Sequence, residues 1–291
     1  MANKKHLLVT GLSFNKLADL LISAKTTLPA LLIVLGAPAW MVGWLVPIRE
    51  SGALLPQVLI SMYLRNNAAR YKVWRVGICI QISSVVGILC SAVLLDGFNA
   101  GLCILGFLIL LSLGRSACSL TVKDIEADVV PKGERGNLVG LASTISGVMT
   151  LLVAVPLLIF DDTFKDNALL GVLVCAAVSF TITLLCMFNL KTKVEDNGDD
   201  KGKMFSIRFD KTVYQFVFVR GLFVHSALVA PYFMLENGDN AQKLLPIYIA
   251  AQALASMCSS LLWGKVADYS AKLTLQIAGV LTIAACVGLL I

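Results

Sequence analysis

Nine stretches of this chain are apolar enough and long enough to cross a bilayer, and that succession constrains the fold more than any other feature. A spanning helix needs about 20 predominantly apolar residues, because the hydrocarbon core offers backbone N–H and C=O groups no partner outside their own helix. The stretches fall at residues 12–35, 38–64, 74–95, 101–122, 137–160, 167–190, 213–235, 243–263 and 273–291. Only 14% of the 291 residues are charged and 58% are hydrophobic, whereas an average globular domain is about a quarter charged. The pattern predicts an all-α, polytopic membrane protein with nine transmembrane helices. Its net charge of +6 is then no signal for nucleic acid, and its lipid environment is its first partner.

The basic residues predict the orientation. If the N-terminus is cytoplasmic, the inside segments hold 17 Lys and Arg and the outside segments hold only Lys165 and Lys243. Such a bias follows the positive-inside rule and depends on the parity of the helix count, so it supports both together. The predicted location is a multi-pass position in a bacterial cytoplasmic (inner) membrane, with the first helix as its own insertion signal. The eight cysteines all lie in apolar runs without a CxxC spacing. They are expected to be small buried thiols, with no metal and no cofactor.

The stretch from Pro38 to Leu64 carries a charge pair, Arg49 and Glu50, near its middle. A charge at bilayer depth costs about 2.5–3.5 kcal/mol on insertion scales, so it turns toward protein or water. Pro47, Gly52 and Pro56 flank the pair and predict a bent or locally opened helix. The first stretch carries Lys16, Asp19 and Lys25. Lys16 and Asp19 share a helical face and are expected to neutralise each other. Lys25 has no carboxylate three or four residues away, which makes Glu50 its expected partner and leaves Arg49 to face a cavity. Arg115 in the fourth stretch and Arg220 in the seventh add buried cations, and His225 is either an interhelical hydrogen bonder or a proton relay.

Residues 191–212 contain VEDNGDDKGK, polar and mixed in charge, as in a flexible linker. The chain therefore divides into residues 1–190, a six-helix bundle; 191–212, a cytoplasmic linker; and 213–291, a partial second bundle holding helices 7–9. Six helices, a linker and further helices is the layout of transporters built from two halves.

The turn Gly264-Lys265-Val266-Ala267-Asp268-Tyr269-Ser270-Ala271-Lys272 resembles the signature of the major facilitator superfamily, G-x-x-x-D-(R/K)-x-G-(R/K). Gly264, Asp268 and Lys272 match; Tyr269 and Ala271 depart. The corresponding turn of the first half keeps Arg65, Arg70 and Lys72 but has Tyr63 and Asn67 where the pattern has Gly and Asp. Arg115 is similar to the Arg of an R-x-x-x-G pattern, without the Gly. Pro131 to Gly136 resembles a P-x-x-x-R-G turn into helix 5, with neighbouring charges suited to a structural or gating network. This resemblance implies alternating access, with a gating latch at Gly264, Asp268 and Lys272. Twelve helices are usual in that superfamily, so nine suggest a C-terminally truncated sequence.

The function expected from this reading is secondary active transport of a small solute, proton-coupled, with an anionic or carboxylate-bearing substrate favoured by the excess of cations. The substrate and coupling candidates are Lys25, Arg49, Glu50, Arg115, Arg220, Asp19 and His225, and no residue is assigned a catalytic role. Two other classes stay open: an integral membrane enzyme acting on a lipid-linked substrate, and a non-transporting membrane assembly protein.

Overall fold

A computed structural model describes residues 2–66, 70–131, 135–159, 168–188, 215, 229–236 and 241–290. It is helical throughout, with no strand among the described residues. The helices are α1 (Ala2–Leu21), α2 (Thr27–Val34), α3 (Ala39–Asn66), α4 (Arg70–Leu94), α5 (Gly97–Val129), α6 (Arg135–Ile159), α7 (Ala168–Phe188), α8 (Val229–Glu236), α9 (Ala241–Tyr269) and α10 (Ala271–Leu290). Among the described residues, four helical segments are long and apolar enough to cross a membrane: α4, α5, residues 138–157 of α6, and α7. Shorter apolar segments lie at 243–258 and 272–288.

The first two stretches differ from expectation in opposite ways. The single helix expected at 12–35 is two, because the chain opens between Leu21 and Thr27. The sequence supplies the groups that make this opening tolerable. The Ser23 hydroxyl accepts the Lys25 backbone N–H at 3.1 Å, the Ser23 carbonyl accepts the Leu28 N–H at 3.0 Å, and Pro29 in the first turn of α2 has no N–H to satisfy. By contrast, α3 runs unbroken through Pro47 and Pro56, so the local opening expected there is not found. The opening is in the first stretch instead.

Helix ends also move. The 33-residue α5 is about 50 Å long at 1.5 Å per residue, well beyond the roughly 30 Å hydrocarbon core. Lys123, Asp124, Glu126 and Asp128, expected in a connection, therefore ride on a helical extension. There Arg70 of α4 meets Asp124 at 3.3 Å. Arg135 donates to the carbonyls of Val130 at 3.1 Å and Ala127 at 3.3 Å, capping the end of α5. Likewise α9 continues through Gly264 and Asp268 to Tyr269, so the expected turn shrinks to Ser270. Ser270 opens α10: its Oγ accepts the Leu273 N–H at 3.3 Å, the N-cap geometry.

Packing follows small residues. The closest helix pair is α4 against α5, where a Cβ on Gly114 would come within 2.6 Å of the Gly77 carbonyl oxygen. Only glycine at both positions permits that approach. Two tight turns meet at one end of the bundle. Gly36 and Gly97 have φ of 70° and 58°, and the Gly97 N–H donates to the Leu35 carbonyl at 2.7 Å. The core runs from Leu8, Leu21 and Leu28 through Met41 and Leu45 to Ile78, Leu108 and Phe180. Large apolar side chains such as Leu59, Leu94, Leu152 and Val280 are left exposed, which suits a lipid-facing belt. Hydroxyls inside the helices are satisfied locally: Ser84, Ser112, Thr121, Thr150 and Ser179 each donate to the carbonyl four residues back.

Candidate functional site

The opening between α1 and α2 is where the charges of the first two stretches meet. The last turns of α1 carry Lys16 and Asp19, the open segment carries Ser23 and Lys25, and α3 brings Arg49 and Glu50 alongside. Adjacent residues on a helix point about 100° apart, so Arg49 and Glu50 go to different partners. Arg49 is buried, with 4% of its surface exposed. It donates from Nη1 to the Ile22 carbonyl at 2.9 Å and from Nη2 to Asp19 Oδ1 at 2.8 Å. One guanidinium thus caps the frayed end of α1 and pairs with its carboxylate, a fork that the point charge of lysine cannot reproduce.

Asp19 is shared. Arg115 of α5 reaches its Oδ2 at 3.9 Å, so two arginines from two helices converge on one carboxylate. The pairing expected within α1 is therefore replaced. Asp19 takes Arg49 and Arg115, while the Lys16 ammonium crosses to α6, donating to the Val139 carbonyl at 3.2 Å and to the Ser143 hydroxyl. Arg49 does line the cavity, and it is at the same time paired with Asp19 and the Ile22 carbonyl. Lys25 and Glu50 do approach each other, at 4.0 Å and both partly exposed. At that distance and exposure the pair contributes little, and both groups remain accessible from the cavity.

These side chains line a cavity of about 290 Å3, with Leu20, Ser23, Ala24 and Ser143 and with Gln252 and Ser256 from α9. Lys16, Lys25, Arg49 and Arg115 against Asp19 and Glu50 leave two positive charges in excess. Gln252 Oε1 accepts the Thr26 hydroxyl at 3.1 Å, so α9 as well as α3 holds the open segment. A second cavity, of about 390 Å3, lies against the same cluster and shares Lys16, Asp19 and Arg115 with the first. The three shared residues form the partition between the two spaces.

Gln252, Ser256 and Ser143 were absent from the sequence-based set. Their signal was available in part. Gln252 is an uncharged amide in an otherwise apolar run, IAAQALAS, and a polar side chain in such a place needs a partner. Arg220 and His225 lie outside the described residues. Gly264 and Asp268 lie on the helical backbone of α9, and Lys272 is exposed on α10. All eight cysteines are free thiols, but the expected burial holds only for Cys118: Cys79, Cys90, Cys175 and Cys258 are exposed on helix surfaces and the other three are half-buried. Among the described residues, no three His, Cys, Asp or Glu side chains cluster as metal ligands. No protein-family model, curated protein or solved structure matches the chain.

Proposed function

We propose that the chain acts as a secondary active transporter that moves a small oxyanion, carboxylate-bearing or similar, by alternating access with proton coupling. The observation that carries this reading is the convergence of Arg49 and Arg115 on Asp19 beside a cationic cavity, at the opening between α1 and α2. A scaffold has no use for charges at this depth, which cost energy wherever water is excluded. A discontinuous helix with polar side chains at its break is the arrangement by which transporters build sites near the bilayer midplane. The cavity is lined by α1, α3, α5, α6 and α9, and in this reading movement of α9 with α6 relative to α3 and α5 opens or closes it.

The finer topology belongs to the same proposal: nine spans in the manner of the major facilitator superfamily, an N-terminus in the cytoplasm and a bacterial inner membrane. Within the site, the partly exposed Arg115 and Lys25 serve as the anion-binding cations, the buried Arg49 as the clamp on Asp19, and Asp19 as the proton-coupling carboxylate. Lys25 and Glu50 stand at the rim. Uptake of radiolabelled acetate, succinate and inorganic phosphate into proteoliposomes, with and without an imposed inward proton gradient, tests the reading. Gradient-dependent accumulation of one of these probes is expected. Glu50→Gln should preserve the coupling; loss of it would return the coupling role to Glu50.

A further inference from the structure

The second cavity is not required for a solute to reach the Asp19 cluster, and its walls differ in origin from those of the first. Among the described residues it is lined only by α1, α4, α5, α6 and α7, whereas the central cavity adds α3, the open segment and α9. It runs from the shared partition toward Lys123 and Glu126 on the helical extension of α5. Lys123 is exposed and Glu126 half-buried, so this charged end reaches the surface. Asn15, Gln81 and Ser119 give the walls polar atoms along the way. Asn15 Oδ1 is buried and has no hydrogen-bond partner among the described residues. A buried polar atom on a roomy polar cavity is ordinarily satisfied by water, and each water occupies about 30 Å3 of liquid volume, so about 390 Å3 accommodates a short chain of them.

We propose that this cavity is a second, hydrated access route to the Asp19 cluster, between α1, α4, α5, α6 and α7, and that the coupling proton uses it while the solute uses the central cavity. What passes along it rests on the transport reading; its hydration does not. Proton transfer between Asp19 and water at the Glu126 end balances in either direction: the O–H bond of protonated Asp19 breaks as a water takes up the proton to become hydronium, and the reverse step breaks a hydronium O–H bond, re-forms the carboxyl O–H and leaves water. The charged and titratable groups that share the two cavities with Asp19 are Lys16 on its own helix, Lys25 of the open segment, Arg49 and Glu50 from α3, and Arg115, Cys118, Lys123 and Glu126 from α5. From α6, α7 and α9 the cavities receive Ser143, Thr183 and Gln252, none of them ionisable. The route therefore delivers a proton to the one carboxylate that the guanidinium pair holds, without crossing the space a solute would fill.

The test uses the full chain with its native cysteines replaced and one thiol introduced, Asn15→Cys for the second cavity or Gln252→Cys for the central one. A small membrane-impermeant methanethiosulfonate is the probe, applied to proteoliposomes before and after Ser256→Trp fills the central cavity. Both thiols are expected to react. Ser256→Trp should abolish labelling of the Gln252→Cys variant and leave labelling of the Asn15→Cys variant unchanged. An Asn15→Cys thiol that reacts only after denaturation, or that loses its labelling with Ser256→Trp, overturns the separate route. As an independent measure, Asn15→Leu should slow gradient-driven accumulation while leaving counterflow exchange of the same probe intact; equal loss of both overturns the proton role. If no probe is taken up by the parent protein, the transport reading fails and the labelling alone decides whether the route is hydrated.

Discussion

The first and second apolar stretches, residues 12–35 and 38–64, teach opposite lessons about what breaks a helix. The first has no proline before its opening and yet comes apart between Leu21 and Thr27; the second carries Pro47 and Pro56 inside a helix of 28 residues and stays whole. A proline removes one hydrogen bond and strains one turn, which a long helix packed against α5 absorbs. An opening in an apolar environment leaves several backbone groups without partners, and it persists only where other groups take them up. Here the Ile22 carbonyl goes to Arg49, the Lys25 N–H to Ser23 and the Thr26 hydroxyl to Gln252. What opens the chain is the supply of partners, and the same partners make the site.

This contrast can be broken by substitution. The largest effect is expected for Arg49→Met, which takes the cap from Ile22 and leaves Asp19 with only the distant Arg115. Removing one member of a buried ion pair typically costs about 3–5 kcal/mol, read as lost stability in a denaturant titration of the detergent-solubilised protein. Arg49→Lys should recover only part of it, because one ammonium cannot span both partners. Ser23→Ala comes next: losing a capping hydroxyl costs about 0.5–2 kcal/mol. Amide hydrogen exchange should then quicken at Lys25 and its neighbours while α3 is unaffected. The smallest effect is expected for Pro47→Ala. If α3 already absorbs the proline, restoring its N–H changes stability by about 1 kcal/mol or less. A large gain there would show that α3 is strained after all and would weaken the contrast.

Much of the architecture was legible because hydropathy alone sets it. The third to sixth stretches correspond to α4, α5, α6 and α7 within a few residues, apart from the extra two turns of α5. That extension was missed because charged residues end a hydrophobic run without ending a helix; Lys123 and Glu126 are good helix formers, and Asp124 costs only about 0.7 kcal/mol relative to Ala. Of the site, the residue types were legible and the pairings only in part. Lys25 and Glu50 could be matched by elimination. Asp19 could not be matched, since Lys16 at three residues is the nearest partner in sequence while Arg49 and Arg115 are nearest in space. Gln252 and Ser143 escaped because uncharged polar residues in apolar runs usually serve packing, and only the position of α9 and α6 beside the opening gives them a role.

The partition between the two cavities is the point on which the functional account turns, and Asp19→Asn tests it most directly. Asparagine keeps the size of the side chain and an acceptor for Arg49, and it removes the carboxylate. The measurement is accumulation of radiolabelled acetate, succinate and inorganic phosphate in proteoliposomes under an inward proton gradient. The parent protein is expected to accumulate at least one of them in proportion to the gradient, and Asp19→Asn to exchange that anion without accumulating it. Gradient-driven accumulation that survives Asp19→Asn would contradict the account.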